Sequence, residues 1–237
     1  MVLKIVKKSM LFIAFIGSFQ GLYSNSVNNP KIIAMSYADV IAIRQELAMV
    51  KKISEMLWNE ALREKLVLVG PLLKLLFDKK ISVTKLIEDN PALKKYKNKI
   101  YKLVALEQYL TDTLDILKEL KKQGVCLVLA ADSAADVIEY KQSIKPEIFD
   151  LFDTAYHENE DNGNKSTTEF YQGLRTAINE YASVTHATEI LFVDSDKRNT
   201  DCALNADVNI ASHLFIGVAG FKDELIKKGY LIEPFIV

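Results

Sequence analysis

The rhythm of apolar residues changes at Gly124, and that change restricts the fold more than any other feature of the sequence. Downstream, short unbroken apolar runs alternate with helical periodicity. Val125–Ala130 reads as a strand, followed by a helix capped by Ser133 and reaching toward Tyr140. A weaker strand near Leu151–Tyr156 precedes an amphipathic helix over Ser166–Tyr181. A strand over Glu189–Val193, a helix over Asp196–Asn205, a strand over Val208–His213 and a helix over Lys222–Lys228 complete the series. A strand that is apolar at every position has no wet face. Alternating with helices, such strands predict a parallel sheet covered on both sides, and such sheets carry their sites at the carboxyl ends of the strands.

Upstream, Lys31–Tyr37 reads as one further strand, entered from Pro30. From Asp39 to about Gln123 the apolar residues recur three and four apart, in "VIAIRQELAMVKKISEMLWNEAL", "PLLKLLFDKK" and "IYKLVALEQYLTDTLDILKELKKQG", which is the period of helices. Pro71 and Asn90-Pro91 punctuate this block. With 237 residues, 49% of them apolar, the chain has material for one core domain carrying one insertion. A net charge of −1, with lysines dispersed among glutamates, argues against a general nucleic-acid binder.

The first residues have a different character. Lys4, Lys7 and Lys8 precede an apolar run from Met10 to Phe19, and small or polar residues follow through Ser24-Asn25-Ser26. Positive end, short greasy middle and small-x-small is the order of a secretory signal. The greasy part is shorter than the ~20 residues that cross a bilayer. The expectation is a signal peptide over 1–26, a mature chain from near Val27 exported to the periplasm or medium, and no membrane association after cleavage. Cys126 and Cys202 lie in a strand and a helix without framework spacing, so two buried free thiols are expected.

The most informative stretch is "EILFVDSDKRNTDCALNAD", Glu189 to Asp207, where an apolar strand empties into Asp194-Ser195-Asp196 ahead of a helix. It is similar to the fourth motif of haloacid dehalogenase-like (HAD) proteins, Asp-Asp-Ser-x-x-Asn after an apolar strand. Asp194 and Asn199 fall on the first acid and the asparagine. Ser195 replaces the second acid, and Asp196 stands where the serine usually is. "GNKSTTEFYQGL" resembles the third motif, a lysine ahead of a helix, with Lys165 as that lysine. The resemblance implies a Rossmann-like parallel sheet core over 27–39 and 113–237, with an all-helical cap inserted over 40–112.

The resemblance also implies a chemistry. In the family an aspartate ending the first strand attacks phosphorus, and a second aspartate two residues later is general acid and base. Magnesium sits between the first aspartate and the fourth-motif acid, while a second-motif hydroxyl and the third-motif lysine hold the phosphoryl oxygens. Here the pair of first-motif acids is missing. In "KIIAMSYADVIAI", aligning the apolar strand puts Met35 and Tyr37 in the two slots, and matching "ADVI" puts Ser36 and Ala38 there. The second-motif slot in "VCLVLAADSAAD" reads Ala131, with Ser133 two positions on.

The expected protein is therefore an exported, catalytically inactive HAD-like binding or interaction module. It has no catalytic residue, degenerate slots at Met35, Tyr37 and Ala131, a retained Lys165, and Asp194 as a vestigial metal ligand in a turn that is mainly structural. Asp196 or Ser195 would cap the next helix. No cofactor is expected, with magnesium only if activity remains, and the cleft between cap and core is the place for a small ligand. The alternative is a divergent magnesium-dependent phosphatase or hydrolase of small phosphoesters using Lys165, Asp194 and Asp196.

Four other features carry less. Glu158–Glu169 loosely fits a calcium-loop spacing, but Lys165 occupies its apolar eighth place and no helix leads in, so it reads as a polar surface loop. His157, His186 and His213 have no ligand spacing. Ser36 as a replacement nucleophile has no sequence-local base and no Gly-x-Ser-x-Gly elbow. Leu57, Trp58, Leu62 and Leu66 fit a helix-packing stripe of the cap.

Overall fold

A computed structural model describes residues 30–58, 60, 62–77, 81–131, 133–157, 164–182, 188–206 and 209–232. The expected signal segment, His186 and most of the acidic loop after His157 lie outside the described residues. Five parallel strands form the central sheet: β1 (Ile32–Ser36), β4 (Cys126–Ala131), β5 (Thr154–His157), β6 (Ile190–Asp194) and β7 (Ile210–Leu214). Their order is β5-β4-β1-β6-β7, so the first strand is central and the chain crosses β1 between β5 and β6. The doubly covered parallel sheet expected from the apolar strands is present, and every residue of β1 and β6 is buried.

Side chains alternate across that sheet, and the alternation decides where chemistry can sit. Ile33, Met35 and Tyr37 join one core with Leu127, Leu129, Leu191 and Val193. Ile32 and Ala34 join the other with Val128, Ala130, Ile190 and Phe192. α5 (Thr111–Lys122) and α10 (Val218–Lys227) cover the first face, and α8 (Thr168–Ala182) with α9 (Lys197–Asn205) the second. α8 approaches β5 so closely at Gly173 that a Cβ there would lie 1.9 Å from the Tyr156 hydroxyl. Gly124, at φ +76°, turns the chain out of α5 into β4.

The insertion holds α1 (Glu46–Trp58), α2 (Leu62–Phe77), α3 (Val83–Asp89), a 3₁₀ turn (Pro91–Tyr96) and α4 (Lys97–Val104) around their own apolar cluster, including Met49, Leu72, Leu86, Ile100 and Leu103. It is not helical throughout. β2 (Ala42–Arg44) pairs antiparallel with β3 (Glu107–Tyr109), so a two-stranded neck ties the ingoing and outgoing chains together. Three residues per strand are too few to show an alternation in the sequence, which is why helical periodicity concealed them. The helix-packing stripe also needs correction: Leu57 packs against the cap cluster, but Trp58 is 80% exposed. The side chains of Leu62 and Leu66 lie outside the described residues. Among the described residues no helix is long and apolar enough to cross a membrane.

The α/β part closes with α6 (Ala135–Ile144) after β4 and the short α7 (Pro146–Phe149). Ser133 does not cap α6, whose N-cap is Ala134 with no side-chain bond. Instead Ser133 faces the space between core and cap. Both cysteines are free and half-buried, and burial pushes the Cys126 thiol up to about 12, so neither is poised as a thiolate.

Candidate functional site

β1 and β6 run side by side in register, Met35 opposite Val193, which brings Ser36 and Asp194 to the same sheet edge on the same face. Lys165, three residues ahead of α8, reaches into that edge. Its ammonium donates to Ser36 Oγ at 2.8 Å and to Asp194 Oδ2 at 3.5 Å. All three are buried: Ser36 1% exposed, Lys165 1% and Asp194 2%. Asn199 Nδ2 donates to Asp194 Oδ2 at 3.1 Å, and the Asp196 backbone N–H donates to Asp194 Oδ1 at 2.8 Å. The Tyr171 hydroxyl, 2.7 Å from the carbonyl of Lys165 and 2.8 Å from that of Asn199, ties the lysine loop to α9.

The structure therefore brings together Lys165, Asp194 and Asn199, three residues singled out in the sequence, and adds Ser36 as their partner. It places Met35 and Tyr37 elsewhere. Both side chains point to the opposite face of the sheet, into the core with Leu129 and Val193, so neither stands opposite Asp194. Of the four slot residues that the two alignments name, Ser36 is the one that stands against Lys165 and on the side of Asp194. Side-chain parity explains this: only even-numbered positions of β1 share a face with Asp194. Ala131, the last residue of β4, is buried on the Met35 face.

Asp196 turns away from this cluster. Its carboxylate accepts from the Arg198 backbone N–H at 2.9 Å and caps α9, as expected for this turn. The Arg198 guanidinium beside it, together with that backbone N–H, holds the Asp196 carboxyl below the usual carboxylate range. The two acids of the turn thus serve different partners. His157 and His213 sit on β5 and β7, at opposite edges of the sheet.

On the other face of β1 a second polar cluster forms around Tyr37. Its hydroxyl donates to Glu107 Oε2 at 2.6 Å and lies 3.2 Å from the Tyr109 hydroxyl. Its ring stacks on Phe149 at 5.6 Å, and the Lys141 ammonium lies 4.6 Å from the ring centroid. Lys141 also donates to Glu107. Burial, reinforced by the Glu107 carboxylate, pushes the Tyr37 phenol far above its ordinary range, so it acts as a neutral donor. Nothing in the sequence signals this cluster, because Glu107 and Lys141 are 34 residues apart on elements that only the tertiary fold joins.

The chain matches solved structures over most of its length. A HAD-family enzyme from Bacteroides thetaiotaomicron aligns at 15% identity and TM-score 0.52, covering 79% of this chain and 94% of that one. The fold is that of haloacid dehalogenase-like proteins. The HAD-hydrolase YfnB from Bacillus subtilis, solved with magnesium, aligns at 13% identity and TM-score 0.52, covering 77% of this chain and 88% of that one. The L-2-haloacid dehalogenase from Xanthobacter autotrophicus, with chloropropionic acid covalently bound, aligns at 14% identity and TM-score 0.50, covering 86% and 85%. The Bacteroides enzyme has also been solved with magnesium and inorganic phosphate. No family model matches the sequence, and neither does any curated protein.

HAD-like neighbours hold magnesium, so the residues here can be tested for fit. Magnesium takes near-octahedral oxygen ligands and is held by carboxylates. Asp194 already accepts from the backbone, an amide and an ammonium, and the opposing group is a serine hydroxyl bonded to that same ammonium. No group of three or more His, Cys, Asp or Glu side chains among the described residues could hold a metal. These residues do not fit magnesium. A lysine ammonium sits against the carboxylate where a cation would have to bind.

Proposed function

We propose that this chain is an exported protein of HAD-like fold that no longer hydrolyses phosphoesters and serves as a binding or interaction module. One observation carries the reading. At the end of β1, where HAD chemistry needs a carboxylate as nucleophile and metal ligand, stands Ser36, held by the Lys165 ammonium. An ammonium donating to the hydroxyl oxygen engages one of its two lone pairs and draws electron density from it. Export is supported by the order of charged, apolar and small residues over 1–26. The outer side of α1, which exposes Leu47 (87%) and Trp58 (80%), offers apolar surface of the kind that partners cover.

A second reading, a divergent magnesium-dependent phosphatase or hydrolase, is favoured by the convergence of Lys165, Asp194 and Asn199 at one sheet edge. An assay separates the two. Purified protein is incubated with magnesium and a panel of small phosphoesters beside an Asp194→Asn control. The inactive reading expects both at background. Turnover by the wild type that disappears in the control establishes the second reading. Cell fractionation with N-terminal sequencing tests export, with a mature terminus near Val27 expected.

A further inference from the structure

α6 follows directly from β4 and so belongs to the core by connection, yet one of its faces belongs to the cap. Asp136, Val137, Tyr140 and Lys141 share a side of that helix by their spacing. Asp136 Oδ2 accepts from Ser82 Oγ at 3.1 Å, the Thr84 backbone N–H at 2.8 Å and the Tyr101 hydroxyl at 3.0 Å, all three in the cap. Val137 is buried inside the cap's own apolar cluster. The Tyr140 ring lies 5.0 Å from that of Tyr101. One turn further on, the Lys141 ammonium pairs with Glu107 of the neck strand β3, the two side chains being 4% and 6% exposed. Tyr37, bonded to the same Glu107, ties this pair to the end of β1.

The pocket between core and cap, lined by Tyr37, Arg44, Ser133, Glu107 and Lys141 among others, measures about 30 Å³. That is room for roughly two waters rather than a metabolite.

We infer that α6 is a latch holding the cap shut on the core in the resting protein, so that closure needs no ligand. Caps that close on a ligand are open without it because closure alone is not favourable enough. Here the closed state has its own contacts. Swinging the cap away would strip three donors from one carboxylate and pull a buried lysine from its buried glutamate, and both changes are costly. Nothing in the latch uses Ser36, Lys165 or Asp194, so it stands or falls separately from the loss of hydrolysis.

Hydrogen–deuterium exchange on the full chain without ligand tests this, comparing wild type with Asp136→Ala, Asp136→Asn and Tyr101→Phe. In the wild type the amides at the start of α3, in α4 and in β2 and β3 are expected to be strongly protected. Asp136→Ala should speed exchange there by about tenfold or more while leaving β1, β4 and β6 unchanged, the pattern of local opening rather than global unfolding. Asp136→Asn, which keeps an oxygen for the Thr84 N–H, should recover part of the protection, and Tyr101→Phe should give a smaller rise. The latch is wrong if wild-type neck amides exchange as fast as exposed loops. It is equally wrong if Asp136→Ala changes nothing, or speeds exchange in the sheet as much as in the cap. Should Asp136→Ala not fold, solution X-ray scattering of the wild type decides, a swung-open cap contradicting the latch and a closed one supporting it.

Discussion

Two consecutive residues of one strand end, Ser36 and Tyr37, face opposite ways, and each meets a buried lysine paired with a buried carboxylate. On one face Lys165 joins Ser36 to Asp194. On the other Lys141 joins Tyr37 to Glu107. The first cluster lies wholly within the core and is crowded with donors: Asp194 accepts from Asn199 and from the Asp196 backbone as well as from the lysine. The second spans core and neck, with the Tyr37 hydroxyl donating to Glu107 beside the lysine. The comparison separates what a fold keeps from what a chain builds. The Lys165 cluster gathers Asp194 and Asn199, which resemble the fourth HAD motif, around Ser36 at the end of β1. The Lys141 cluster makes contacts that fix one part of the molecule on another.

The two should respond differently to losing their lysine. Lys141→Met strands Glu107 in a buried site, and a loss of about 3–5 kcal/mol in unfolding free energy is expected from denaturant titration. Lys165→Met leaves Asp194 with two other donors, so a smaller loss of about 2 kcal/mol is expected from the same titration. Equal losses, or the reverse order, would break the distinction between a crowded and a sparse carboxylate. Tyr37→Phe keeps the stacking on Phe149 but removes the hydroxyl from Glu107, and should cost about 1 kcal/mol.

The smallest effect belongs to the rim of the first cluster. Asp196→Ala removes the cap of α9, worth about 1 kcal/mol at most in this partly exposed position. Because the Asp196 carboxyl is held below its ordinary 3.8, the folded state favours its ionised form. The contribution is fully present above the unfolded value and is lost as the pH falls through the depressed folded one. Stability curves of wild type and Asp196→Ala, measured against pH, should begin to converge as the pH falls below about 4.

Much of this was legible in the sequence, for physical reasons. The apolar runs of β1, β4 and β6 declared a sheet buried on both faces, because no half-wet strand carries Ile-Leu-Phe-Val unbroken. Lys165, Asp194 and Asn199 were found because each sits at a strand end or helix start with a recognisable neighbour. The first-motif slots were open between two alignments, since periodicity alone does not fix which face of β1 meets β6. Only the register, Met35 against Val193, sets Ser36 on the side of Asp194. The neck strands were too short to interrupt a helical pattern. Glu107, Asp136 and Lys141 looked like ordinary helix-surface charges, because what makes them structural is burial between segments distant in sequence.

The central claim is that a lysine ammonium has taken the position a metal ion would need. Thermal unfolding of the purified protein with and without millimolar magnesium, with calcium as the ionic control, tests it most directly, since a ligand that binds only the folded state raises the melting temperature. The account predicts no shift specific to magnesium, in the wild type and in Asp194→Asn alike. A magnesium-specific rise of several degrees in the wild type that is lost in Asp194→Asn would contradict it.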